Sequence, residues 1–249
     1  MKHFLKTATT RFLLLLLCIP FLASCSDDKE EEPSTGSVQV SVQHLVGGQP
    51  LQSHTTYTSP AGDTYAVEKL QYYLSNVKLI SGDGKTTYTE PHSYHLISLE
   101  GKSSFTLKDV PAGTYTTVEF ALGVDKAHNH SIDQHGDLDP SNDMVWDWDT
   151  GYKFLNLAGT YTGNTKAGGL VFHIGEDANY KVFTLTLPQP LDLRQKPDNG
   201  LRLITELNEL FQNPHLIDFD EMNTAMGGEN ARKIVENYSN GFFKVELDK

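Results

Sequence analysis

The sequence predicts an all-β protein: a β-sandwich of roughly eight to ten mostly antiparallel strands, with one long Asp- and His-rich loop and a short C-terminal helix. Three observations carry this. Apolar and polar residues alternate with period two from Val38 onward, the signature of strands with one buried face. Gly, Pro, Asn and Asp punctuate the alternation at short intervals. Asp125 to Asp149 breaks the pattern, with seven Asp, three His and two Trp. A segment that long without alternation is functional or disordered, and its tryptophans argue for order.

Val38 to Val42 is the first expected strand and Val67 to Ile80 a long second one. Ser81-Gly82-Asp83-Gly84 supplies hairpin chemistry before Thr86 to Thr89. Tyr94 to Leu99 and Ser104 to Leu107 follow, then a turn at Pro111-Ala112-Gly113. Thr114 to Gly123 is β-branched and aromatic, the composition a pleated surface favours. Tyr152 to Leu157, Leu170 to Ile174, Tyr180 to Leu187 and Leu201 to Leu207 continue the series. A helix is expected within Glu221 to Asn237, broken near its start by the pair Gly227-Gly228. Phe242, Phe243, Val245 and Leu247 then form a closing strand, and no internal repeat is evident.

The N-terminus reads as a targeting segment. Lys2, Lys6 and Arg11 precede an apolar run, Phe12 to Leu22, that is too short for a permanent span. Leu22-Ala23-Ser24-Cys25 resembles a bacterial lipobox, so residues 1–24 are expected to be a lipoprotein signal peptide and Cys25 the lipidated residue. Each buried methylene of an acyl chain adds about 0.8 kcal/mol of membrane affinity. Residues 25–37 are acidic and lack aromatics, which makes them a solvated tether, and residues 38–249 the domain. Ser26 to Glu30 resembles the acidic signal that exports some lipoproteins. The expected location is therefore the outer membrane, on its periplasmic or its cell-surface face.

Composition narrows the chemistry. Cys18 and Cys25 are the only cysteines, so the mature domain has neither a disulfide nor a thiolate for zinc or catalysis. A metal must find nitrogen, oxygen or methionine sulfur, or a group made from tryptophan. The net charge is −12, and about −15 once the three leader cations are lost, which excludes a nucleic-acid partner of the basic-stripe kind. No GxSxG elbow, HExxH helix or Walker loop is present, so no enzyme activity is expected.

Candidate ligands concentrate in the long loop. His128 and His130 stand two apart and, in extended backbone, point to one side, while His135 returns at the Gly136 turn. Exposed loop histidines with no ligand at all are the bland alternative. Trp146 and Trp148 alternate with Asp147 and Asp149, an arrangement that packs a core or borders a pocket. His173 lies near a strand end, on the face of Val171 and opposite Phe172, as a ligand or a hydrogen-bonded core imidazole. The aspartates Asp133, Asp137 and Asp139 do not follow the spacing of a calcium-binding loop.

Five stretches then point to a family. LQYYLSNVKL (Leu70 to Leu79), GTYTTVEFALGVD (Gly113 to Asp125), DLDPSNDMVWDWDTGYKFLNLAG (Asp137 to Gly159), FHIG (Phe172 to Gly175) and ARKIVENYSNGFF (Ala231 to Phe243) together resemble the MbnP-like copper-binding proteins, related to MopE and CorA. The resemblance implies a β-rich extracytoplasmic domain holding one copper ion, as Cu(I). It implies that a tryptophan is oxidised to kynurenine by a partner dihaem protein of the cytochrome c peroxidase type, freeing an amine that ligates beside histidines. Carried onto this chain, Trp146 is the preferred modified position, Trp148 the reserve, and His173 the preferred imidazole. MopE has a histidine two residues after its modified tryptophan. This chain has Trp148 there, so a second nitrogen must come from His128, His130, His135 or His44. The expected function is copper storage, buffering or transfer by a lipid-anchored protein. The alternative is a surface sandwich that binds a glycan or a protein on a platform of Trp146, Trp148 and Tyr152, without metal.

Overall fold

The computed structural model describes residues 35–131, 133–146 and 151–248. Cys25, the Ser26–Glu30 signal and Trp148 lie outside these residues. In chain order the strands are β1 (Thr35–Val46), β2 (Gln49–Pro50), β3 (Thr56–Thr58), β4 (Thr64–Ser81), β5 (Thr87–Thr89), β6 (Tyr94–Ser98), β7 (Ser104–Pro111), β8 (Thr114–Leu122), β9 (Lys153–Thr162), β10 (Ala167–Gly175), β11 (Lys181–Asp192), β12 (Asp198–Glu206), β13 (Thr224–Ala225) and β14 (Phe243–Leu247). Among the described residues two α-helices join them, α1 (Lys126–Asn129) and α2 (Gly228–Tyr238). The first strand begins inside the stretch read as tether, and β2, β3 and β13 are too short to leave an alternation in the sequence.

Two sheets face each other. The smaller runs β14-β12-β1-β2 with β7 also on β1, and the larger runs β11-β8-β4-β9-β10-β13 with β3, β5 and β6 on β4. Pairing is antiparallel except at β1–β12 and β10–β13. Strand β4 serves so many partners because bulges at Val67/Lys69 and Ser75/Lys78 re-aim it along its length. Asn76, inside the second bulge, adopts a left-handed backbone (φ 54°).

Aromatic rings fill the space between the sheets. Phe211 packs edge-on to Tyr65 at 5.3 Å and to Phe219 at 5.0 Å, and Phe243 lies 4.8 Å from both Phe183 and Phe242. Such pairs stabilise by about 0.5–1.5 kcal/mol beyond the area they bury. His44 sits in this core with Nδ1 2.8 Å from Thr205 Oγ1, edge-on to Tyr72.

The expected C-terminal helix is present and shorter than the stretch read for it. It starts at Gly228, not near Glu221, because Thr224–Ala225 is already committed as a strand against Val171 and Phe172. Gly227 (φ 160°) is extended and Gly228 (φ 60°) left-handed, so the glycine pair marks the strand-to-helix junction.

The long segment after β8 folds back over the outer face of the larger sheet. Asp125 caps α1, its carboxylate accepting from Ala127 N. His128 and His130 therefore occupy a helical turn and its cap, not one side of an extended strand, which corrects the sequence expectation. Tyr152 is fully buried, its hydroxyl donating to Leu138 O at 2.6 Å and its ring edge-on to Tyr73 at 5.7 Å. It cannot form part of an exposed stacking platform, contrary to the alternative reading.

Candidate metal centre

The centre begins with strand register. Gln71 of β4 stands opposite Asn156 of β9, which stands opposite His173 of β10, so the three side chains line one row on the covered face. Lys69, two residues before Gln71 on the same face, holds Asp143 of the covering segment in an ion pair at 2.7 Å.

Backbone hydrogen bonds press the next residues down. Lys153 N donates to Met144 O at 2.6 Å, Trp146 N donates to Gly151 O at 3.1 Å, and Val145 bridges Tyr152. Met144 is fully buried above Asn156, whose Nδ2 lies 3.9 Å from the thioether sulfur. The Trp146 ring lies beside His173, with centroids 6.3 Å apart and planes inclined at 60°, and Lys153 Nζ is 6.0 Å from its centre. Gly175 makes room for the indole: a Cβ there would fall 2.8 Å from Cζ2 and 2.9 Å from Nε1.

Two features suit this place to a ligand. Gln71 Oε1 and Asn156 Oδ1 are buried acceptors without a hydrogen-bond partner. Leaving such a group unsatisfied costs about 1–3 kcal/mol, so they stand ready for an N–H donor. His173 has its pKa lowered, chiefly by burial and then by the charges of Lys153 and Lys69, against which Asp143 works. Its imidazole is consequently neutral at neutral pH, the form that ligates.

The donor set decides which ion fits. An indole N–H only donates, so Trp146 as encoded holds no metal. His173 and Met144 remain, one borderline and one soft donor, a pair matched to Cu(I) over hard cations. Sequence reasoning missed Met144, Gln71 and Asn156. Met144 was within reach, since it stands two residues before Trp146 and methionine sulfur was an admissible donor. The amides become visible only through register.

Two of the other loop histidines have partners of their own. His128 Nδ1 lies 2.6 Å from the Tyr94 hydroxyl and 3.0 Å from Asp125 Oδ1, and His130 Nε2 lies 2.9 Å from Asp177 Oδ2. His135 is exposed, and His44 is buried between the sheets. Among the described residues none of the four has a hydrogen bond or ring contact with His173, and no three His, Asp or Glu groups are assembled to hold a metal.

Comparison with known proteins agrees with the fold. The model of the MbnP family matches residues 35–227. The solved structure of MbnP from Methylosinus trichosporium superposes with a TM-score of 0.60 at 13% identity, over 86% of this chain and 99% of that one. No curated protein matches the sequence. A family match over that much of the chain, on a sandwich of this topology, means that the protein belongs to the MbnP family.

Proposed function

We propose that this protein is a copper-binding lipoprotein, anchored through Cys25 at the outer membrane, that stores, buffers or hands over Cu(I) without catalytic turnover. The observation that carries the reading is the packing of Trp146 against His173 with Met144 buried alongside. His173 supplies a neutral imidazole, and Met144 a soft sulfur. Lys69 and Lys153 add positive charge, which disfavours a divalent ion more than a monovalent one. A dihaem partner of the cytochrome c peroxidase type, with peroxide as the oxidant reduced to water, would add two oxygen atoms across the C2–C3 bond of Trp146. Hydrolysis by water would then release C2 as formate and free an aromatic amine as a third donor. That amine's N–H groups would also answer the unpartnered acceptors of Asn156 and Gln71.

Copper retention and peptide mass spectrometry test the reading. Protein co-produced with the dihaem partner is expected to carry one copper per chain and the mass of kynurenine at Trp146. His173→Ala is expected to lower retention at least tenfold with kynurenine still formed. Copper absent from the wild type, or retained undiminished by His173→Ala, overturns it.

A further inference from the structure

The histidines that do not meet His173 gather elsewhere. A cavity of about 230 Å³ is lined by His92, Tyr94, His128, Gln134, His135 and Asp137, among others. We infer that His128, His135 and His92 make a second metal site there, for a divalent d-block cation of the Zn(II) or Cu(II) kind, separate from the Trp146–His173 centre.

His128 is held in place by a carboxylate and a phenol. Its Nδ1 lies 3.0 Å from Asp125 Oδ1 and 2.6 Å from the Tyr94 hydroxyl, which in turn reaches Asp125 Oδ2. A carboxylate only accepts, so the proton of the Tyr94 hydroxyl goes to Asp125 Oδ2 and that of His128 Nδ1 to Asp125 Oδ1 or the Tyr94 oxygen. With Nδ1 turned to the carboxylate, Nε2 is the ring nitrogen left to ligate. A carboxylate that fixes the tautomer and orientation of an imidazole in this way is the usual support of a histidine ligand. Asn76 Nδ2 holds the same carboxylate at 3.0 Å and donates to the Tyr180 hydroxyl at 2.7 Å, so the support is itself anchored in β4.

The other two imidazoles stand on turns at the rim. His92 has a left-handed backbone (φ 49°), an uncommon conformation for a non-glycine residue and one that collects at functional sites. His135 precedes Gly136 (φ 65°), and both histidines are exposed and line the same cavity as His128. Among the described residues the three groups are not already assembled around one point, so binding requires side-chain rotation at the two exposed histidines. Imidazole donors select zinc, copper or nickel over calcium and magnesium, which require oxygen. The acidic surface, with a net charge of −12 over the chain, concentrates cations at the mouth.

Calorimetric titration with zinc sulfate tests the inference on protein carrying Trp146→Phe and His173→Ala, which removes the copper centre from the measurement. One zinc per chain is expected, with affinity falling at least tenfold on adding His128→Ala or His135→Ala and less for Tyr94→Phe. His135 is exposed and His128 half-buried, and an unchanged circular dichroism melt shows that the fold survives their loss. No zinc binding in the background protein, or affinities within twofold after both substitutions, overturns the second site and leaves the copper proposal untouched.

Discussion

At the scale of single residues, His44 makes the sharpest claim. Burial lowers its pKa to about 4, against about 6.5 in an unfolded chain, and its Nε2 has no partner. A depressed histidine pKa means that the unfolded state takes up the proton first. The contribution to stability is complete above pH 6.5, declines as pH falls, and levels off below about 4. The loss is of the order of 3 kcal/mol over that window. Thermal melts at pH 7 and pH 4.5 are expected to show a larger drop for wild type than for His44→Asn, which keeps a polar group near Thr205 and cannot titrate. Equal drops would mean that His44 is not the group responsible. Met144 poses a subtler question, because its sulfur is proposed as a ligand while its burial already stabilises the fold. Met144→Leu keeps the volume at a cost below about 1.5 kcal/mol. It is therefore expected to melt near wild type while holding Cu(I) several-fold less well, measured by competition with a chromogenic chelator. Undiminished affinity would return Met144 to a packing role.

At the scale of elements, legibility followed the range of the forces involved. Strands such as β1 and β8 showed in the alternation because that pattern is local and one face is buried. Helix α2 was legible in kind and wrong in extent, because pairing of Thr224–Ala225 with β10 overrides local preference. The loop announced itself by composition, yet its conformation depends on a cap at Asp125 and on contacts with Tyr73 and Asn129 that no spacing rule encodes. The same holds for the candidate centre. Trp146 and His173 were singled out separately, but only antiparallel register sets Asn156 and Gln71 beside His173. Strand β10 carries the matching prediction. Its last residue, Gly175, has no space for a side chain, since a Cβ would lie 2.5 Å from Tyr152 O as well as against the Trp146 indole. Overpacking of this kind costs about 1–3 kcal/mol, or a few degrees per kcal/mol in a domain of this size. Gly175→Ala is expected to lower the melting temperature by several degrees and to weaken copper retention although every proposed donor is still present. A melt indistinguishable from wild type would show that the indole can move aside freely.

At the scale of the whole molecule, the smaller sheet is assembled from the two ends of the domain. Strand β1 lies between β7 and β12, and Ser37 reaches Asp198 across 161 residues of chain. Strand β14, the last, completes the order on the far side of β12. Contacts this distant in sequence place folding on the slow side, in the range of about milliseconds to seconds for sandwich topologies. They also make the core depend on the tail. Phe242 and Phe243 are buried beside Tyr72, Phe120, Phe183 and Tyr238. Truncating one buried phenylalanine typically costs about 3–5 kcal/mol, so losing two approaches the whole stability of a domain, about 5–15 kcal/mol. A chain ending at Asn240 is therefore expected to lose its cooperative thermal transition. A chain beginning at Pro33, which keeps all of β1, is expected to melt like the full-length domain in far-ultraviolet circular dichroism. The shortened tail matters for function as well, because β12 and β1 close the core beneath the sheet that carries Gln71, Asn156 and His173. A cooperative melt from the chain ending at Asn240 would mean that the long-range closure described here is dispensable, and that the sheet bearing the metal centre stands on its own.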